Sequence, residues 1–340
     1  MVAVAFGLLV PLLAACGSSG SSAARLDAAS AVATSIPAKV PAGTTLRVGD
    51  QVQLQETVLA SGAQDHGFPY SVKWASFIGG PSMLQAFHAN AIDVGFVADT
   101  PLIFAQAAHQ DVVAVAAWAS EHGSDELVAA PGSHITSWAD LKGKRVAYQQ
   151  GTVLEATVLQ GLEQANLTLH DLKSVNLPFT QIVAALQNGS VDAGILAPPL
   201  DGGYLSSHPD AKVIERPDNL TARVSFLVAS RRALQDPAKA AAIRDYILRL
   251  GRAYNAIRAN PGEFVQRFYV EQYHLTPTAG RALLAKLGTS SFVPLTGALV
   301  PAQQALADLY LKAGEVPSKL DAKQEFDLSF AKVIQQVIAQ

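Results

Sequence analysis

Apolar residues recur along this chain with two different periods, and the way the periods alternate predicts its architecture. Leu46-Arg-Val-Gly49 and Val72-Lys-Trp-Ala-Ser-Phe77 step in twos, the period of a half-buried strand. Ile92–Val97, Val112–Ala117 and Arg145–Tyr148 predict further strands. Between them the spacing predicts helices over Met83–Phe87, Leu102–Ala108 and Val153 to about Asn166. Pro81 and Pro101 suit the openings of the first two, because the N–H that proline lacks is unpaired there anyway. Strands interleaved with helices predict βαβ units and a mostly parallel sheet, an α/β fold. The last third turns helical. Asp236-Pro237 starts a helix whose Ile243, Ile247, Leu250, Tyr254 and Ile257 form one apolar stripe, stopping at Asn260-Pro261. Phe326, Phe330, Val333 and Val337 predict a final amphipathic helix. Both stripes read as core, and so does Trp74, which alternates with Val72 and Ser76.

One pattern occurs twice. Ala86–Val97 and Ala185–Leu196 each run from a helix end through a tight turn into an apolar strand, and each is followed by a proline-containing loop. Asp93 and Gly95 in the first match Asp192 and Gly194 in the second, which points to two related lobes.

The N-terminus follows neither period. Met1–Ala15 is almost wholly apolar, too short to span a membrane and fitting for the hydrophobic region of a signal peptide, although no Lys or Arg precedes it. Leu13-Ala14-Ala15-Cys16 looks like a bacterial lipobox. It predicts a signal peptide over 1–15, lipidation of Cys16 and a Gly/Ser/Ala tether over 16–43 with no fold of its own.

Composition narrows the function. In 340 residues only 16% are charged, and the 25 Lys plus Arg against 28 Asp plus Glu form no basic run, so no nucleic-acid partner is expected. Cys16 is the sole cysteine, and the eight histidines show no ligand-like spacing, so neither a disulfide nor a metal or other cofactor is expected. Phosphate-loop, nucleophile-elbow and zinc-protease motifs do not occur in a sensible setting. Only Ser120, His122 and Asp125 offer the residue types of a hydrolytic triad, against the plainer reading of a polar loop.

What does recur is a strand feeding a helix N-terminus, at Gly80-Pro81-Ser82, Asp99-Thr100-Pro101 and Gly151-Thr152. Such loops lie beyond the carboxyl ends of the strands, where open parallel sheets bind ligands, and their free N–H groups suit an oxyanion. Ordinary capping competes: Thr152-Val-Leu-Glu155 fits a capping box. Trp118 follows the predicted end of a strand near Glu121 and His122, where its ring either walls a cleft or packs into the core.

Gly79-Gly-Pro81 after the second strand, Asp93–Ala108, Ser137–Ala147, Gly189–Ala193 and Ser225–Arg231 together resemble the aliphatic sulfonate, taurine and nitrate binding proteins of ABC importers, over roughly 44–335. The resemblance implies a two-lobed periplasmic-binding-protein fold of type II, with mixed, mostly parallel sheets, a cleft between the lobes and two crossover strands near Glu126–Ala130 and Arg223–Ala229. Lobe I would be 44–127 plus 226–340 and lobe II 128–225. It implies a monomeric extracytoplasmic lipoprotein rather than an enzyme, held on the membrane by its lipid, that hands a small solute to ABC permease subunits. Carried over by position, ligand contacts fall on Asp50, Gln51, Gly80, Pro81, Ser82, Asp99, Thr100, Gln150, Gly151, Thr152, Pro198 and Asp201. The chain departs from the family at Gly49-Asp-Gln-Val-Gln53, where an aromatic and often a lysine are usual, and at Glu155, where small neutral residues are. These segments hold Asp50, Glu56, Asp99, Glu155 and Asp201 but no Lys or Arg, which disfavours a bare inorganic anion. The expected ligand is an alkanesulfonate or a taurine-like sulfonate, with a neutral or amine-bearing solute as the alternative.

Overall fold

The structure, a computed structural model, describes residues 36–123, 125–215 and 223–340. The expected signal peptide, Cys16 and the tether as far as residue 35 lie outside them. The chain lays down β1 (Thr45–Gln51), α1 (Leu54–Ser61), β2 (Ser71–Phe77), α2 (Gly80–His88), β3 (Val94–Ala98), α3 (Asp99–Ala107) and β4 (Val112–Ser120). A short loop leads to β5 (Glu126–Ala129), which opens a second series: β6 (Arg145–Tyr148), α4 (Val153–Gln164), β7 (Lys173–Asn176), α5 (Phe179–Gln187), β8 (Ala193–Leu196), α6 (Leu200–Ser207) and β9 (Lys212–Ile214). The chain returns through β10 (Val224–Ser230) and becomes helical, with α7 (Arg231–Gln235), α8 (Pro237–Ala259) and α9 (Gly262–Phe264), the last continued by a π-helical stretch, Val265–Gln272. Then follow α10 (Pro277–Leu287), β11 (Ser290–Val293), α11 (Leu299–Ala313) and α12 (Ala331–Ile338).

The strands form two sheets, ordered β11-β4-β10-β3-β1-β2 and β7-β6-β8-β5-β9. Pairing is parallel where a helix connects the strands, as β1 with β2 and β3, and β6 with β7 and β8. It is antiparallel at β10 and β5, and at the edge strand β11. The sheets are therefore mixed, and less parallel than the sequence pattern predicts. The strands that carry the chain between sheets enter without a helical crossover, so nothing turns them back into the parallel sense.

The inner strands of both sheets are covered on both faces. Val94–Val97 and Val112–Trp118 are buried throughout, which is why they read as unbroken apolar runs. In the second sheet Val146, Ala147, Ala193 and Ile195 pack with Leu154 and Val158 of α4 and Ile182 of α5. α8 begins as predicted: the Asp236 side chain accepts from the N–H groups of Ala238 and Lys239, a cap contributing about 1 kcal/mol, and the whole apolar stripe is buried.

Two apolar assignments change. Trp74 is only half-buried, because β2 is an edge strand; its ring lies 6.2 Å from Tyr246 and borders an open groove. The final helix starts at Ala331 rather than at Phe326. Phe326 pairs instead with Ala114 beside β4, and the Asp327 N–H donates to the Ala114 carbonyl at 2.9 Å. The helical last third also reaches beyond the first sheet. Leu306, Ala307 and Tyr310 of α11 pack against Ile103 of α3 and against Ala156 and Leu159 of α4, so α11 touches the helices of both sheets.

Candidate ligand cleft

The loops expected to bind a ligand all leave the carboxyl ends of strands, and the fold brings those before α2, α3 and α4 together from both sheets. Gly79, just before α2, lies against the loop that precedes α4: a Cβ there would stand 3.0 Å from the Gln149 amide nitrogen. One on Gly151 would stand 3.6 Å from the Pro81 ring. Both glycines have φ above +70°, a region costly for any residue with a side chain. Gly80 packs on Pro101 at the start of α3, too tightly to accept a Cβ. The N-termini of α2, α3 and α4 thus meet across the two sheets.

Much of the polar equipment there is engaged within the protein. Asp50 is fully buried, and its carboxylate accepts from the N–H groups of Gln55 (3.0 Å) and Glu56 (2.9 Å), capping α1. Burial pushes its pKa up to about 6, against the pull of those hydrogen bonds. The Gln51 amide donates to the Phe96 carbonyl at 2.7 Å, and the Ser82 hydroxyl donates to Ile78 and Gly79. Asp99 accepts from the Thr100 N–H at 2.6 Å and from its hydroxyl. The Gln150 N–H donates to Asn176, and its amide to Glu315 at 3.0 Å. Pro198 is half-buried in the loop between β8 and α6, and Asp201 is buried in the first turn of α6.

The capping box expected at Thr152 forms in shifted register. The Thr152 hydroxyl accepts from Leu154 at 3.3 Å and donates to Gln149, while the Glu155 carboxylate accepts from Gly151 at 2.9 Å. Glu155 is fully buried, and burial, helped by the charge of Glu315, raises its pKa to about 7. Beside it, the Tyr310 hydroxyl donates to Thr100 (3.5 Å) and to the Thr152 carbonyl (3.4 Å), tying α3 to α4.

Trp118 packs in the core. β4 runs on to Ser120, three residues past its predicted end, so the ring lies among Phe96, Tyr254 and Phe292, with centroids 5.6–6.0 Å away, and is 3% exposed. Ser120, His122 and Asp125 show no triad geometry. The Ser120 hydroxyl donates to the main-chain carbonyls of His122 (2.9 Å) and Arg223, and Asp125 accepts from the Thr157 hydroxyl. Among the described residues no group of three His, Cys, Asp or Glu could hold a metal ion.

Sequence reasoning missed one charged residue altogether. Lys286, from the last turn of α10, places its Nζ 2.7 Å from Glu126 and 3.7 Å from Asp201. Nothing local marks it, since it stands 85 residues from Asp201 (286 − 201).

Two α/β halves joined by β5 and β10, with the helix N-termini of α2 and α4 approaching from opposite sheets, match the periplasmic-binding-protein fold. The comparisons agree. The family model described as "NMT1/THI5 like" matches residues 79–263, more than half of the chain, and the chain belongs to that family. A protein of Escherichia coli (strain K12) named for binding aliphatic sulfonates is 29% identical over 282 residues, covering 82% of this chain and 87% of that one. The crystal structure of the periplasmic aliphatic sulphonate binding protein SsuA from Escherichia coli superposes with a TM-score of 0.71 at 28% identity, over 83% of this chain and 92% of that one. The alkanesulfonate-binding protein SsuA from Xanthomonas axonopodis pv. citri, bound to MOPS, gives 0.75 at 26%, over 84% and 99%.

Proposed function

We propose that this chain is the extracytoplasmic solute-binding lipoprotein of an ABC importer and that it takes up a small sulfonate, an alkanesulfonate or a taurine-like one. Lobe I comprises 44–127 with 226–340, lobe II comprises 128–225, and the signal peptide 1–15 is removed so that Cys16 carries the lipid. The protein is a monomer that delivers its solute to the permease and catalyses no reaction.

The observation that carries the reading is the approach of α2 and α4, Gly79 to Gln149 and Pro81 to Gly151, from opposite sheets. A sulfonate seated there receives main-chain N–H donors and two positive helix ends without a basic side chain. Gly80, Pro81, Ser82, Thr100, Gln150, Gly151 and Thr152 form its surroundings, Gln51 and Pro198 its flanks, and Asp50 and Asp99 support the helices behind it. Solute held by both lobes stabilises the closed form only through contacts that the open form lacks.

A thermal-shift series on the purified protein with propane-1-sulfonate, taurine, nitrate and sulfate tests this. Ligand at a hundred times its Kd adds about 2.7 kcal/mol, a shift of a few degrees. Sulfonates should raise Tm and the inorganic anions should not. A chain indifferent to every sulfonate would falsify the assignment. For the anchor, Cys16→Ser should abolish lipid labelling and release the protein from membranes; membrane retention in that variant would count against it.

A further inference from the structure

Glu155 holds one of the donors that a sulfonate between α2 and α4 needs. It stands in the first turn of α4, fully buried, and its Oε2 accepts from the Gly151 N–H at 2.9 Å, where Gly151 lies against Pro81 of α2. A carboxylate of the protein thus sits on the positive helix end assigned to the solute. Its other oxygen, Oε1, is buried as well and has no hydrogen-bond partner among the described residues. A buried acceptor left without a donor is unfavourable, and a capping role needs only the first oxygen.

The groups that face Glu155 do not answer its charge. They are Glu315 from the loop after α11, Tyr310 from α11, Tyr148 from β6 and, beyond Thr100, Asp99 from α3. None of these is a cation. Lys312 of α11 is paired with Glu163, eight residues further along α4 (163 − 155). Glu155 and Glu315 bracket the loop that carries Gln150, whose amide donates to Glu315 at 3.0 Å. An anion arriving at this helix end therefore meets an ionised, buried carboxylate, and like charges repel strongly where water is excluded. One proton on Glu155 removes that repulsion and turns an unpartnered acceptor into an O–H donor. Burial has already raised the pKa of this group to about 7, against the Gly151 hydrogen bond and with help from Glu315.

We infer that Glu155 competes with the solute for the N-terminus of α4 and that a sulfonate is held only when Glu155 carries a proton, so that binding takes one proton up. This deepens the sulfonate reading and rests on it. A sulfonate stays charged throughout the neutral range, so the proton goes to the protein, and affinity falls as pH rises through the range in which Glu155 ionises.

The test is calorimetry on the full chain with propane-1-sulfonate, at pH 6 and pH 8, in pairs of buffers that differ in ionisation enthalpy. For a group that titrates near 7, wild type should take up about 0.9 proton at pH 8 and about 0.1 at pH 6. It should bind about ten-fold more weakly at the higher pH. Glu155→Gln keeps an acceptor for Gly151 and cannot ionise. It should take up no proton at either pH and bind at pH 8 within about three-fold of wild type at pH 6. Circular dichroism checks the fold of the variant, and the wild-type proton count stands without it. Wild type that binds at pH 8 without taking up a proton overturns the role of Glu155 and keeps the sulfonate reading. A Glu155→Gln variant that takes up as much proton as wild type does the same, and moves the proton to another buried carboxyl such as Glu325 or Asp50. Failure of both proteins to bind propane-1-sulfonate at either pH overturns both.

Discussion

The β1–β3 unit and the β6–β8 unit are built to one plan. In each, an arginine of the first strand holds an aspartate at the entry to the third: Arg47 with Asp93, and Arg145 with Asp192. In each the aspartate also accepts from the arginine's own main-chain N–H, and two residues later a glycine lies against the neighbouring strand. They differ in what covers them. α8 lies over the first unit and sends Lys239 to within 2.6 Å of Asp93, whose side chain is 2% exposed. Asp192 keeps one arginine and stays 25% exposed. Burial by itself would raise the Asp93 carboxyl, yet the hydrogen bonds from Arg47 and Lys239 outweigh it and hold it below the usual carboxylate range. Asp192 is lowered chiefly by its bond to Arg145. A shared local motif thus acquires different energetic weight from the helix packed on top of it.

The largest expected effect lies where a buried carboxyl meets no such cation. Burial raises Glu325 to about 8, aided by the charge of Asp99 and opposed by the Gln303 amide. A carboxyl that ionises later in the folded state than in the unfolded one binds more protons when folded, so stability falls as pH rises from about 4.5 to about 8. The loss is on the order of 5 kcal/mol, and Glu325→Gln should remove most of that slope in urea titrations between pH 5 and 8.5. A slope unchanged in the variant would place its origin elsewhere, Glu155 being the next candidate. Removing Asp93 comes second. Asp93→Ala should cost about 3 kcal/mol, because it leaves Arg47 and Lys239 half-buried and unpaired. The glycines come third. A Cβ on Gly194 would stand 2.6 Å from the branched, fully buried Ile182, whereas on Gly95 it meets the flexible Met83 thioether at the same distance. Gly194→Ala should therefore cost about 2 kcal/mol and Gly95→Ala about 1. The smallest effect is Asp192→Ala, at most about 1 kcal/mol, since its pair is partly exposed. Equal losses for Asp93 and Asp192 would break the comparison.

Much of the candidate site could be read along the chain, and its chemistry could not. Gly80-Pro81-Ser82, Asp99-Thr100 and Gly151-Thr152 signal helix starts by residue type, because proline, short polar side chains and glycine act within one turn of where they stand. Whether their polar groups remain available is another matter. Asp50 and Ser82 turn back on their own neighbours, and that depends on rotamers the pattern does not encode. Trp118 was ambiguous because a strand's end has no marker as sharp as a helix cap; three more residues of β4 carry it into the core.

The sequence by itself determined the α/β alternation, the repeated Asp/Gly pattern and the loops that feed the helix N-termini, since each depends on contacts within a few residues or on one periodic face. Only the tertiary structure decided the antiparallel crossovers, the packing of α11 on helices of both sheets, and the meeting of Lys286 with Glu126 and Asp201. Those contacts join residues far apart in the chain, where no local spacing records which partners burial will bring together.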